Sequence, residues 1–127
     1  MRIPIALLLF AHGIAHVVGF LAAFRLGKAP IPYKTTIFAG HVDVGDGGVR
    51  ALGVLWLAAA VAFAAAAVAA LARAPWWPSA ALGLAIGSLG MCMVGWPDAR
   101  IGLAVNAALI ALMIVGARAG WFQLAAR

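Results

Sequence analysis

Four apolar runs, each close to the length that crosses a lipid bilayer, leave this chain little freedom of architecture. They cover about residues 3–24, 51–72, 76–95 and 99–117. A membrane-spanning helix needs about 20 apolar residues, within a range of roughly 17–25. The first two runs meet that length comfortably. The purely apolar parts of the last two are short, and they borrow length from Trp76-Trp77 and from Ala99. Composition agrees: 67% of the 127 residues are hydrophobic and 9% are charged, against about 45–50% and about 25% in an ordinary soluble domain. The expected fold is all-α, a four-helix transmembrane bundle running up-down-up-down. It forms a single polytopic membrane domain over residues 1–127, with one long loop over residues 25–50.

The ends of the runs carry their own signals. Trp76 and Trp77 precede the third run, Trp96 follows it and Trp121 follows the fourth; tryptophan favours the membrane–water interface. Pro75, Pro78 and Pro97 mark turns, and proline suits a first helical turn, where its missing N–H costs nothing. The second and third links are therefore tight, which makes sequential helices antiparallel neighbours. The first link differs. It holds Pro30, Pro32, Gly40, Gly45, Gly47 and Gly48, and long irregular loops often carry function. Ile37-Phe38 in that loop is expected to dip into the interface.

The formal charge is +6. The basic residues stand singly at the ends of apolar runs and form no stripe with interleaved aromatics, which excludes nucleic acid as a partner and points to topogenic charge and anionic lipid. Arg2, Arg73, Arg118 and Arg127 fall on one side, and Arg25, Lys28, Lys34, Arg50 and Arg100 on the other. That balance assigns no orientation. The first run has the basic start of a signal peptide, but its length and its two histidines favour a retained helix. Cys92 is the only cysteine, so no intrachain disulfide forms.

The chemistry concentrates in a few polar residues within the hydrocarbon runs. His12 and His16 are four apart, on one face of the first helix. Ionisable residues at such depth are costly and face a protein interior or a water-filled cavity. With about 1.5 Å of rise per residue, His16 lies roughly 12 Å below the long-loop end of its helix and Asn106 roughly 9 Å below the same face. Ser88 and Cys92 fall in the same half of the bilayer. Asp98, Gly102 and Asn106 recur every four residues, a second stripe. His12, His16, Asn106 and Asp98 are thus the candidate cofactor-binding layer. Packing glue is the bland reading, since inter-helix hydrogen bonds in membranes average only about 0.6 kcal/mol.

Other readings of these residues compete. A bis-histidine haem needs ligands from opposing helices. With His41 in the loop as the only other histidine, haem ligation would take one histidine or pair two chains. Two histidines at i and i+4 suit a small metal ion, although the glutamate of the zinc-protease helix is replaced by Gly13; His12, His16 and Cys92 are the metal candidates. Asp43 and Asp46 lie in a Gly-rich stretch without the distal glutamate of an EF-hand, and turn chemistry explains them. Asp98 either complements a helix dipole or pairs with Arg100, Arg50 or His16. Gly83, Gly87 and Gly90 form a small-residue face suited to close helix contact, within the bundle or across a homo-oligomer or membrane-protein partner.

The run Ala11-His12-Gly13-Ile14-Ala15-His16-Val17-Val18-Gly19-Phe20 resembles the His-Gly-x-x-His-x-x-Gly-Phe opening of small uncharacterised bacterial four-helix integral membrane proteins. Trp96-Pro97-Asp98-Ala99-Arg100-Ile101-Gly102, followed by Asn106, resembles the Trp-x-Asp-Ala-x-x-Gly-x-x-x-Asn signature of their fourth helix. Leu55-Trp56-Leu57-Ala58-Ala59 and Trp76-Trp77 are similar to their second- and third-helix entries. The likeness covers most of the chain outside the first loop. It implies a multi-pass protein of the bacterial plasma membrane, points to His12, His16, Asp98 and Asn106, and names no activity or cofactor. The long first loop departs from the family's shorter form, so nothing carries over to His41, Asp43 or Asp46.

The leading functional expectation is a non-enzymatic accessory, anchor or assembly component of a membrane complex. The first alternative is a cofactor-binding redox protein that holds a quinone, haem or metal at the histidine pair. Quinone is the easiest fit, since it asks only for an apolar pocket with one or two polar groups. The second is a small proton-linked transporter or channel. Ser79 and Ser88 lack the partners of a hydrolytic triad.

Overall fold

The computed structural model describes residues 1–122; Arg127, counted among the charges above, lies outside them. Four helices carry the fold: α1 (Arg2–Ala23), α2 (Gly45–Leu71), α3 (Trp77–Val94) and α4 (Arg100–Arg118). All four are long and apolar enough to cross a membrane. The shortest, α3, has 18 residues, or about 27 Å at the helical rise, close to the roughly 30 Å hydrocarbon core. The chain is a helical membrane protein. Large apolar side chains such as Leu7, Phe10, Val61, Ile86 and Ile101 are exposed on its outer surface, where lipid takes the place of water.

Two features depart from the sequence reading. First, α2 starts at Gly45 and has 27 residues. Its Gly/Asp-rich first turns read as loop, but local polar bonds start the helix: Asp43 Oδ1 accepts the Gly45 N–H at 2.9 Å. Asp46 lies in the first turn, where an acid complements the helix dipole, and it accepts a bond from the Tyr33 hydroxyl. Second, the remaining loop folds into a short antiparallel hairpin, β1 (Thr36–Ile37) against β2 (Val42–Asp43), with Thr36 opposite Asp43. Its turn seats on the end of α3: the Phe38 N–H donates to Val94 O and the Ala39 N–H to Trp96 O, both at 3.0 Å. The first of these bonds satisfies a carbonyl of the last helical turn, which a helix C-terminus otherwise leaves without a partner.

The bundle is packed unequally along its length. Ile5, Leu9, Phe63, Trp77, Leu109 and Met113 form a buried core with Ala66, Ala70, Ala81 and Ala85, all toward the end that holds the N-terminus and the α2–α3 link. Trp77 belongs to this core at 1% exposure, whereas its neighbour Trp76 is 54% exposed. Adjacent helical residues point about 100° apart, so only one of the pair serves the interface. Helices α1 and α2 make the closest pairing. A Cβ at Gly13 would stand 3.0 Å from both Ala60 O and Phe63 Cβ; glycine there lets the backbones approach.

Candidate intramembrane binding site

The polar side chains of three helices meet in the half of the bundle nearer the long loop. His12 and His16 come from α1, Ser88 and Cys92 from α3, and Asn106 from α4. All five are buried, with Asn106 fully so. His16 Nδ1 lies 2.8 Å from the His12 carbonyl oxygen, and His16 Nε2 lies 2.6 Å from Ser88 Oγ. The Asn106 amide nitrogen donates to Ser88 Oγ at 2.8 Å and to Cys92 Sγ at 3.5 Å. Asn106 Oδ1 lies 2.9 Å from His12 Nε2. The bonds close a ring from His12 through Asn106, Ser88 and His16 back to the His12 backbone.

Aromatic side chains hold the imidazoles in place. The Phe63 ring meets His12 edge-on, with centroids 4.9 Å apart and planes at 85°. Trp56 stands beside His16 at 5.2 Å. Its indole lies against Gly19, where a Cβ would come within 2.6 Å of the ring. A side chain at residue 19 would therefore displace the indole from the histidine.

Above this layer the bundle is hollow. A cavity of about 720 Å³ runs from His12 and His16 toward the long loop, walled by Ala15, Gly19, Trp56, Gly95, Gly102 and Val105 and roofed by Ile31, Tyr33, Thr36 and Ile37. The opposite half of the bundle is instead filled by Leu9, Phe63 and Leu109. The hairpin, anchored on the end of α3, overhangs the cavity, and exposed residues such as Ile101 and Trp96 leave it open at one side.

His12, His16 and Asn106 thus come together, joined by Ser88 and Cys92. Asp98 does not join them. It precedes α4, near the cavity mouth, and its Oδ2 pairs with Lys34 Nζ at 2.6 Å. The four-residue stripe Asp98–Gly102–Asn106 fails at its first member because helical geometry begins only at Arg100. Of the expected partners Arg100, Arg50 and His16, none holds Asp98; the loop lysine does. The metal reading of His12, His16 and Cys92 also loses ground: among the described residues no three His, Cys, Asp or Glu side chains gather as a ligand set. Three of the four imidazole nitrogens are engaged by protein groups. Asp43 and Asp46 are used by the helix start, with Arg25 3.6 Å from Asp46.

Sequence reasoning missed Trp56 and the roof. A tryptophan well inside an apolar helix, away from the interface it favours, is the signal that marks Trp56. The roof has no comparable signal, since it depends on where the hairpin docks. Comparison with models of protein families, with curated proteins and with solved structures finds no match to this chain.

Proposed function

We propose that this chain binds a membrane-borne small molecule, a polar ring with an apolar tail of the quinone class, in the loop-side half of the bundle. This is the cofactor-binding alternative, preferred over the accessory role. The single observation that carries it is the cavity of about 720 Å³ ending on His12 and His16 of the buried polar ring. Ligand pockets run roughly 300–1,000 Å³, mostly apolar with a few placed polar groups. Packing glue needs no such hollow, because protein interiors are otherwise close-packed. Beyond the polar layer the core of Leu9, Phe63, Leu109 and Met113 is tightly buried. That makes the cavity a blind pocket and favours binding over passage. A setting in a bacterial plasma membrane is part of the proposal and draws on the family resemblance.

The test is a titration of the detergent-purified protein with a dimethoxybenzoquinone bearing a ten-carbon tail. Quenching of tryptophan fluorescence, with Trp56 and Trp96 on the cavity wall, should saturate at one ligand per chain. It should vanish in Val105→Phe, which fills the hollow. Unsaturable quenching, or quenching unchanged in Val105→Phe, would reject the proposal.

One observation favours a second reading, association through α3. Among the described residues a Cβ at Gly83, Gly87 or Gly90 would meet nothing within 4 Å, so that small-residue face looks away from its own bundle. Gly83→Leu and Gly87→Leu should then shift the oligomeric state in detergent, and unchanged association would reject this reading.

A further inference from the structure

The hydrogen bonds around the polar layer fix where each proton sits. A carbonyl oxygen only accepts, so His16 Nδ1 donates to the His12 carbonyl. A neutral imidazole has one donor and one acceptor, and a buried imidazolium without a counter-ion is costly. His16 Nε2 is therefore the acceptor, and the Ser88 hydroxyl donates to it. Ser88 Oγ then receives its remaining bond from the Asn106 amide nitrogen, which turns Asn106 Oδ1 toward His12. His12 Nε2 donates to that oxygen, and His12 Nδ1 is left with the lone pair. The opposite placement of the Asn106 amide would require His16 to donate from both nitrogens and carry a charge.

Every strong donor of the layer is thereby used within the protein: the N–H of each imidazole, the Ser88 hydroxyl and both N–H bonds of the Asn106 amide. Within the layer only the weak S–H of Cys92 is left; Trp56 and Thr36, which also line the cavity, carry donors of their own. The acceptor His12 Nδ1 has no protein partner among the described residues. His12 is 5% exposed and lines the cavity. No fully buried side-chain nitrogen or oxygen among the described residues lacks a partner, so this nitrogen keeps its residual exposure, and the hollow is where it finds it.

We infer that the deep end of the cavity selects a head group that donates a hydrogen bond to His12 Nδ1, a ring hydroxyl such as that of a quinol or phenol, over one that only accepts. This rests on the binding function proposed above and adds its direction. A quinone or an aryl ether places an oxygen lone pair against the imidazole lone pair and leaves His12 Nδ1 without a partner. A buried acceptor left without a partner weakens binding by about tenfold.

A redox-inert pair tests this: 4-decylphenol and its methyl ether, 4-decylanisole, differ only in the donor. The full chain in mild detergent should bind the phenol at least about tenfold more tightly, by saturable tryptophan quenching. In the ligand-free protein, the ¹⁵N shift of His12 Nδ1 should be that of an unprotonated imidazole nitrogen. Equal affinities, or a tighter ether, would overturn the inference and leave the binding function standing. A protonated Nδ1 would overturn it before any ligand is added. Failure of both probes to bind, with Nδ1 unprotonated, would instead reject the binding function on which the inference rests.

Discussion

Asn106 Oδ1 stands 2.9 Å from His12 Nε2 while the same side chain's nitrogen stands 2.8 Å from Ser88 Oγ. One amide on α4 therefore joins α1 to α3. Helices α1 and α4 meet little through their backbones; α1 packs on α2, and α3 on α4. The polar ring is what crosses between the two pairs at this depth. It also holds both imidazoles at fixed angles at the bottom of the hollow, so the stability of the layer and the geometry of the site depend on the same bonds.

Replacing Asn106 with leucine should show this. The variant loses three hydrogen bonds and leaves the His12 N–H buried without an acceptor. Single inter-helix bonds in membranes average about 0.6 kcal/mol and reach about 1.7, and an orphaned buried donor costs about 1–3 kcal/mol. We expect Asn106→Leu to destabilise the fold by about 1–3 kcal/mol in a reversible unfolding assay in bicelles. In a double-mutant cycle with His12→Phe, the combined loss should fall short of the sum. Strict additivity would mean that the two side chains are not coupled.

Two glycines of similar exposure to the eye of a sequence reader should behave oppositely. A Cβ at Gly19 would sit 2.6 Å from the Trp56 ring, whereas one at Gly83 meets nothing within 4 Å among the described residues. The indole is held between Gly19 and His16 and has little room to yield. Gly19→Ala should destabilise by about 1–3 kcal/mol, the usual range for overpacking, and shift the Trp56 emission. Gly83→Ala should change stability by less than about 1 kcal/mol. Equal effects would contradict the packing.

The four helices were legible because their apolar runs are long and almost free of charge, and that pattern needs no tertiary information. The polar layer was legible for the converse reason: His12, His16, Ser88 and Asn106 stand out against hydrocarbon, and helical spacing puts them at one depth. The start of α2 was not, because Gly45, Gly47 and Gly48 read as loop until Asp43 and Asp46 are seen serving the helix end. Asp98 lines the same cavity as His12 and His16, but nearer its mouth, because a helical stripe does not extend through the turn before Arg100. The hollow itself was invisible. It depends on how the helices come together and on the docking of the hairpin on α3, relationships that no single segment records.

Lys34 and Asp98 pair at 2.6 Å, with side chains 44% and 31% exposed. A pair this accessible to solvent contributes about 0.2–1 kcal/mol, and salt screens it. Lys34→Ala should therefore change global stability by less than about 1 kcal/mol. Its consequence should appear in kinetics: with the loop less firmly tied to the end of α3, a probe should enter the cavity faster. The exchanged pair Lys34→Asp with Asp98→Lys should restore the slower entry. Stopped-flow tryptophan quenching reads this directly, and entry rates indifferent to both changes would show that the pair does not restrain the mouth.

Cys92 offers a reporter that needs no engineering, since it is the only cysteine in the chain. Its thiol is 1% exposed and lies on the cavity wall, with the Asn106 amide nitrogen 3.5 Å from the sulfur. A reagent reaches it through the cavity, beside the overhanging hairpin. A small, uncharged methanethiosulfonate should therefore label Cys92 slowly in the intact protein and faster in Lys34→Ala. Saturating 4-decylphenol should suppress labelling, because the head group seated on His12 fills the space in front of the sulfur. Mass spectrometry of the whole chain measures the modified fraction over time. Labelling at the rate of an exposed thiol would mean that the overhanging hairpin does not restrict the cavity. Labelling unaffected by saturating phenol, measured where quenching shows the phenol bound, would place the bound ring somewhere other than over the His12–Cys92 wall.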